Sequence, residues 1–172
     1  MRYPNTMIMI LQNYLWNYPL VKGMSLMTVN FSKVQDVLEN YRFSIYEKNV
    51  ERFLSAYAPD IHIYDCWGNW ESKGITPWKA NVEAWFNGLR ADRVTLKVDF
   101  NDLVVEENLN LAFVHCAVTF AAHDIESGEK LRQITNRFTF GLRKDNDSWL
   151  ITHTHSSLPI NMETGKGLFN LR

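Results

Sequence analysis

From Val94 onward the apolar residues recur at every second position, in segments separated only by turns. Val94, Leu96, Val98 and Phe100 alternate with Thr95, Lys97 and Asp99 to form the first of these segments. A second runs from Leu111 to His123, apolar on both faces. The Glu126-Ser127-Gly128-Glu129 turn leads to a third over Lys130 to Leu142, and Asp145-Asn146-Asp147 leads to a fourth over Trp149 to Ser157. Parallel strands need a crossover of a dozen or more residues, so strands joined this tightly pair antiparallel as a meander. A strand apolar on both faces is packed on both, which points to a homodimer formed through the sheet.

Upstream of the meander the period changes. Val34, Val37, Leu38, Tyr41 and Ile45 fall three or four residues apart, one apolar stripe on one helix. Asn49 is the N-cap residue of a second helix carrying Val50, Phe53, Leu54 and Tyr57, which Pro59 stops. Ile61 to Trp67 alternates as a strand, with Ile63, Asp65 and Trp67 on the inward face. Gly68 to Gly74 is a loop, and Thr76-Pro77 starts a third helix with Trp78, Val82, Trp85, Phe86 and Leu89 along one side. The expected class is α+β, one curved antiparallel sheet wrapping three N-terminal helices. Residues 1–30 form an extension, 31–159 the domain and 160–172 a tail.

A chain of 172 residues with 46% hydrophobic and 22% charged residues has the makeup of one globular domain. Its 18 basic and 19 acidic residues give a net charge of -1, without the basic footprint of a nucleic-acid or lipid binder. Gln12, Asn13, Asn17 and Pro19 interrupt the apolar N-terminal run, so no membrane span and no signal peptide is expected. The expected reading of this segment is a poorly ordered extension or an upstream start, with Met24 and Met27 as alternative starts; the cluster of Tyr14, Leu15, Trp16 and Tyr18 offers the alternative of a short amphipathic arm for a membrane or a partner. The two cysteines, Cys66 and Cys116, form neither a disulfide framework nor a zinc motif, which fits a reducing, cytoplasmic setting.

Polar residues interrupting apolar stripes are the candidates for chemistry, because burying a polar group without a partner is costly. Tyr41 interrupts the first helix, Asp65 the first strand between Ile63 and Trp67, and Asn136 the third meander strand between Ile134 and Phe138. A carboxylate among apolar neighbours suits a general base, and tyrosine and asparagine can both donate to an oxyanion that such a base generates. Trp67 and Trp70 border the following loop as candidate pocket walls. His153 and His155, assigned by parity to the face of Trp149 and Ile151, join His115 as candidate substrate-contacting side chains; a metal site is not expected, since no third ligand stands nearby in sequence. Arg137 belongs on a solvent or subunit surface.

The run Ala56-Tyr57-Ala58-Pro59-Asp60 through Ile63-Tyr64-Asp65, then Lys73-Gly74, and the ending Trp149-Leu150-Ile151-Thr152-His153-Thr154-His155-Ser156-Ser157 resemble the SnoaL-like and ketosteroid-isomerase-like members of the nuclear transport factor 2-like superfamily. The resemblance spans about Phe31 to Pro159. It implies a cone-shaped, cystatin-like α+β fold with a deep cavity, commonly dimeric. It also implies Asp65 as general base and Tyr41 as oxyanion donor, with Asn136 where those isomerases carry a second, acidic donor. The expected ligand is a small, mostly apolar carbonyl or polyketide-like molecule, handled by proton transfer without a cofactor. The ending Trp149-x-Ile151-x-His153-x-His155-x-Ser157 is also similar to the association domain of calcium/calmodulin-dependent kinases, which implies the alternative of a non-catalytic binding or oligomerisation module.

Overall fold

The computed structural model describes residues 29–169. The aromatic cluster at Tyr14 to Tyr18 lies outside them. Helix α1 (Val34–Glu47) is followed by the short α2 (Val50–Leu54), strands β1 (Tyr57–Tyr64) and β2 (Ser72–Lys73), and helix α3 (Ile75–Ala91). Strands β3 (Val94–Glu107), β4 (Leu111–Asp124), β5 (Lys130–Asp145) and β6 (Ser148–Ser157) complete the fold. No described helix is long and apolar enough to cross a membrane.

The expected stripe of α1 is its buried side: Val34, Val37, Leu38, Tyr41 and Ile45 all face the core. Lys48 ends the helix in the left-handed conformation (φ 55°), its N–H donating to the Ile45 carbonyl. Asn49 caps α2 as its side-chain type predicts, accepting from the Arg52 amide at 3.0 Å. The Asn40 side chain donates to the Arg52 carbonyl at 2.8 Å and ties the two helices together. Helix α2 ends at Leu54, and Tyr57 begins β1 instead of closing the helix; Ala58-Pro59-Asp60 form an irregular stretch of that strand. Proline is tolerated there because β1 needs no ladder hydrogen bond at the irregularity.

The six strands form one sheet in the order β2-β1-β6-β5-β4-β3. The last four strands are the antiparallel meander that their turns require. β1 pairs with β6 in parallel and so departs from the wholly antiparallel sheet expected; the intervening α3 and meander supply the long connection that a parallel pair needs. β2 lies inside the expected loop, too short for any periodicity to show. Gly74 follows it at φ 81°, where a side chain would be strained, and its N–H donates to the Ile61 carbonyl at 2.7 Å. Helix α3 therefore starts two residues past the edge strand β2.

Bulges curve the sheet. Register shifts fall between Asn101 and Val104, between Ala122 and His123, and between Gly141 and Leu142. The concave side holds the helices and the core: Phe53, Phe86 and Phe140 are fully buried there with Ile45, Ile61 and Leu142. Phe53 is the hub of the aromatic packing, touching the rings of Tyr41, Tyr57, Trp78, Trp85 and Phe86. The chain is curved, unclosed and α+β, as its element order implies.

Candidate functional site

A cavity of about 470 Å³ opens between the concave sheet and the helices. Its volume is in the range of small-molecule sites. Trp78, Trp85 and Leu89 of α3, Leu96 of β3, Phe120 of β4 and Phe138 of β5 form the apolar wall. Tyr41 and Asp65 line the same space. The structure therefore brings two of the three expected chemical groups to one cavity, from α1 and from the end of β1.

Strand β1 ends at Tyr64, three residues before the Trp67 that its alternation reaches, so Asp65 sits just past the last ladder residue. It keeps the inward direction of Ile61 and Ile63. The Ser156 hydroxyl donates to Asp65 Oδ1 at 2.6 Å, and Ser156 Oγ in turn accepts from the Cys66 amide at 2.9 Å. Ser156 is 5% exposed and thus holds the carboxylate from below, leaving Asp65 half-buried toward the cavity. Asp65 belongs to no ion pair among the described residues.

Tyr41 is 5% exposed and fixed by tilted and edge contacts to Phe53, Phe100 and Phe140, with centroids 5.2, 5.9 and 5.8 Å away. Burial first, and then the negative charge of Asp65, push its phenol far above the ordinary value. Tyr57, buried beside it, is raised by burial first and then by the neighbouring Tyr41, with Asp65 adding less. Both phenols stay protonated, and Tyr41 is a neutral hydrogen-bond donor at the cavity wall.

Asn136 is placed differently from the expectation. It is buried on the inner side, but its Nδ2 donates to Cys66 Sγ at 3.5 Å and it is absent from the cavity wall. Phe138 and Ile134, its neighbours on the same side of β5, reach the cavity instead. Burial raises the Cys66 thiol as well.

The histidines also depart from the expectation. Opposite Gly141 and Leu142 stand His153 and Ile151, so Thr152 is an extra residue that reverses the alternation of β6. His153 and His155 therefore point to the convex face, away from Ile151, and cannot contact a molecule in the cavity. His115 lies on that face too, beside exposed Phe113, lining a shallow groove with Arg137 and His155. His62 and Tyr64 of β1 pack against His153 there. Among the described residues no group of His, Cys, Asp or Glu side chains is arranged to hold a metal ion.

Trp67 lines the cavity, whereas Trp70 is 88% exposed and does not. Trp78 and Trp85, expected as core, serve both as core and as wall. Sequence reasoning missed a polar rim. Glu71 reaches the rim while bonded to Lys73 Nζ and to His62 Nε2, each at 2.8 Å. Asn81 donates to Ser72 Oγ at 3.0 Å, and Arg132 stands at the far end of β5. Arg132 and Arg137 are an odd number of positions apart on β5, so strand parity sets them on opposite faces, the one sequence signal that points inward for Arg132.

Residues 34–161 match the model of the SnoaL-like domain family. No curated protein matches the chain. Among solved structures, a nuclear transport factor 2-like protein of unknown function from Pseudomonas putida is 23% identical, with 87% of this chain and 99% of that one aligned and a TM-score of 0.72. A proposed calcium/calmodulin-dependent protein kinase II association domain from Xanthomonas campestris is 20% identical over 81% of this chain and 96% of its own, TM-score 0.58. A proposed ketosteroid isomerase from Shewanella frigidimarina is 17% identical over 71% and 92%, TM-score 0.53. At these identities the likeness is one of fold.

Proposed function

The chain belongs to the SnoaL-like domain family, and on that premise we propose that it binds a small, mostly apolar carbonyl or polyketide-like molecule in the cavity and moves a proton on it. Family membership narrows the chemistry only to a ligand-binding or isomerase-type role; the residues supply the rest. The observation that carries the reading is the pairing of a serine-held Asp65, outside every ion pair among the described residues, with a neutral Tyr41 in one largely aromatic cavity. Asp65 takes the proton from the carbon next to a carbonyl. The C–H electron pair becomes the enolate double bond, and the charge that develops on the carbonyl oxygen is met by the Tyr41 hydroxyl. Return of the proton from Asp65 to another carbon gives isomerisation; in cyclisation the enolate carbon bonds to a second carbonyl of the same molecule, whose π electrons move onto oxygen, and that alkoxide takes the proton back from Asp65.

The test is a thermal-stabilisation screen of conjugated ketones, polyketide-like rings and small carboxylic acids, repeated with Asp65→Asn. A ligand should raise the melting temperature of both proteins, and turnover should be lost only in the variant. Absence of any stabilising ligand, or equal turnover by Asp65→Asn, overturns the enzymatic reading.

A second reading is favoured by the convex face, where Leu111 is 58% and Phe113 48% exposed beside His115. It is a homodimer or larger assembly closed through that face, with the cavity serving only to bind. A sedimentation mass near one chain at micromolar concentration overturns it. The unpaired Cys66 and Cys116 suit a reducing, cytoplasmic setting for either reading.

A further inference from the structure

Asp65 and Arg132 stand at opposite ends of the cavity. Ser156, which holds Asp65, pairs with Phe138 of β5, and Arg132 is six residues earlier on the same strand with its side chain on the same side. At the rise of a β-strand this separates the two levels by about 20 Å of backbone, shortened by the reach of the arginine. Between them lie Phe138, Ile134, Phe120 and Trp85. The cavity is thus a hydrophobic slot with a carboxylate at one end and a guanidinium at the other.

The charges along the slot are unequal in their freedom. Glu71 is already met by Lys73 and His62. Of the described side chains that line the cavity, Arg132 alone is cationic. Among the described residues its ion-pair partner is Asp92 at 3.7 Å, beyond hydrogen-bond length, with both side chains 63% exposed. A loose, solvated pair of that kind is readily exchanged for a better acceptor. The guanidinium fork matches a carboxylate in two parallel hydrogen bonds, while a carboxylate on the ligand is repelled from the Asp65 end.

We propose that the ligand is a ring compound bearing a carboxylate at the end opposite its reacting carbon, and that Arg132 holds that carboxylate and thereby sets the ligand's direction in the slot. The inference rests on the cavity being the ligand site, as proposed above, and adds the substrate class. Arg132 is a specificity-determining residue in this scheme; the proton is moved without it.

The probes are 6-hydroxy-2-naphthoate, whose phenol mimics an enol and whose carboxylate is on the distal ring, and its methyl ester, titrated by fluorescence. The acid should bind the wild-type protein about tenfold tighter than the ester, as a charge-assisted bidentate pair implies, and added salt should narrow the gap. Arg132→Gln, a change at an exposed strand end, should bring the acid to the affinity of the ester and leave the ester unchanged. Equal binding of acid and ester by the wild type, or an unaltered preference in Arg132→Gln, overturns the role of Arg132 and leaves the cavity reading standing. Failure of both probes to bind overturns the two together.

Discussion

Phe169 lies flat against Trp67, ring centroids 5.8 Å apart and planes 15° from parallel, so the end of the described chain backs a side chain that lines the cavity. The segment reaches this position through a small turn, with Asn161 donating to the Lys166 carbonyl and Leu168 to that of Pro159. Phe169→Ala should remove about 1 kcal/mol of stacking and loosen the Trp67 wall. Ligand affinity measured by titration should fall several-fold, with the melting temperature lowered by only about 2–4 °C. A loss of affinity no larger than that of a surface control such as Glu163→Ala would show that the stack does not support the wall.

Ser156→Ala removes two hydrogen bonds at once, to Asp65 and from the Cys66 amide. Leaving buried polar groups unpaired costs about 1–3 kcal/mol, so the midpoint of urea unfolding should drop accordingly. Ser156→Thr, which keeps the hydroxyl, should recover most of the loss. If both variants lose the same amount, packing and not the hydroxyl is responsible.

Phe53→Ala should be the most damaging of these changes. The ring is 1% exposed and joins α2 to the rings of α1, α3 and β1. Cavity formation at such a site costs about 3–5 kcal/mol, a large share of the stability of a domain this size. Calorimetry or chemical denaturation measures it directly.

The thiols should be nearly inert in the folded protein. Burial pushes Cys116 up to about 12, and the side chain is 7% exposed. Only the thiolate alkylates, so iodoacetamide at neutral pH should leave Cys116 unmodified until denaturant is added. Cys66 is raised by burial too and should label slowly. Mass spectrometry of digests before and after unfolding separates the two.

Glu71 contributes an acid-sensitive element. Hydrogen bonds from Lys73 and then from His62 hold its carboxyl below the ordinary value. A carboxyl made more acidic by folding adds stability that is present above its unfolded value and lost as the pH falls through the folded one. Unfolding midpoints measured stepwise from neutral pH into acid should fall less steeply for Glu71→Gln than for the wild type.

Element type and order were legible because local periodicity carries them. The stripe from Val34 to Ile45, the Asn49 cap and the short meander turns each follow from neighbours within a few positions. The parallel pairing of β1 with β6 was not, since Tyr57 and Ile151 meet only in three dimensions. Asp65 and Tyr41 were found because each breaks an apolar run and both prove to line the cavity. Asn136 breaks a run in the same way, yet its amide turns to Cys66. Ser156 gave no signal, as a serine on a strand is ordinary until its partner is known. Arg132 was concealed by its place at a strand end, where charged residues are expected for solubility alone.

One surplus amide decides the chemistry on either side of β6. Because Thr152 stands unopposed between the partners of Gly141 and Leu142, everything after it is read out of phase with what precedes it. Excising that residue would turn Ser156 away from Asp65 and swing His153 and His155 through the sheet into the interior, exchanging a hydroxyl-steadied acid for a pair of imidazoles. In this fold, a single codon separates one kind of interior from another.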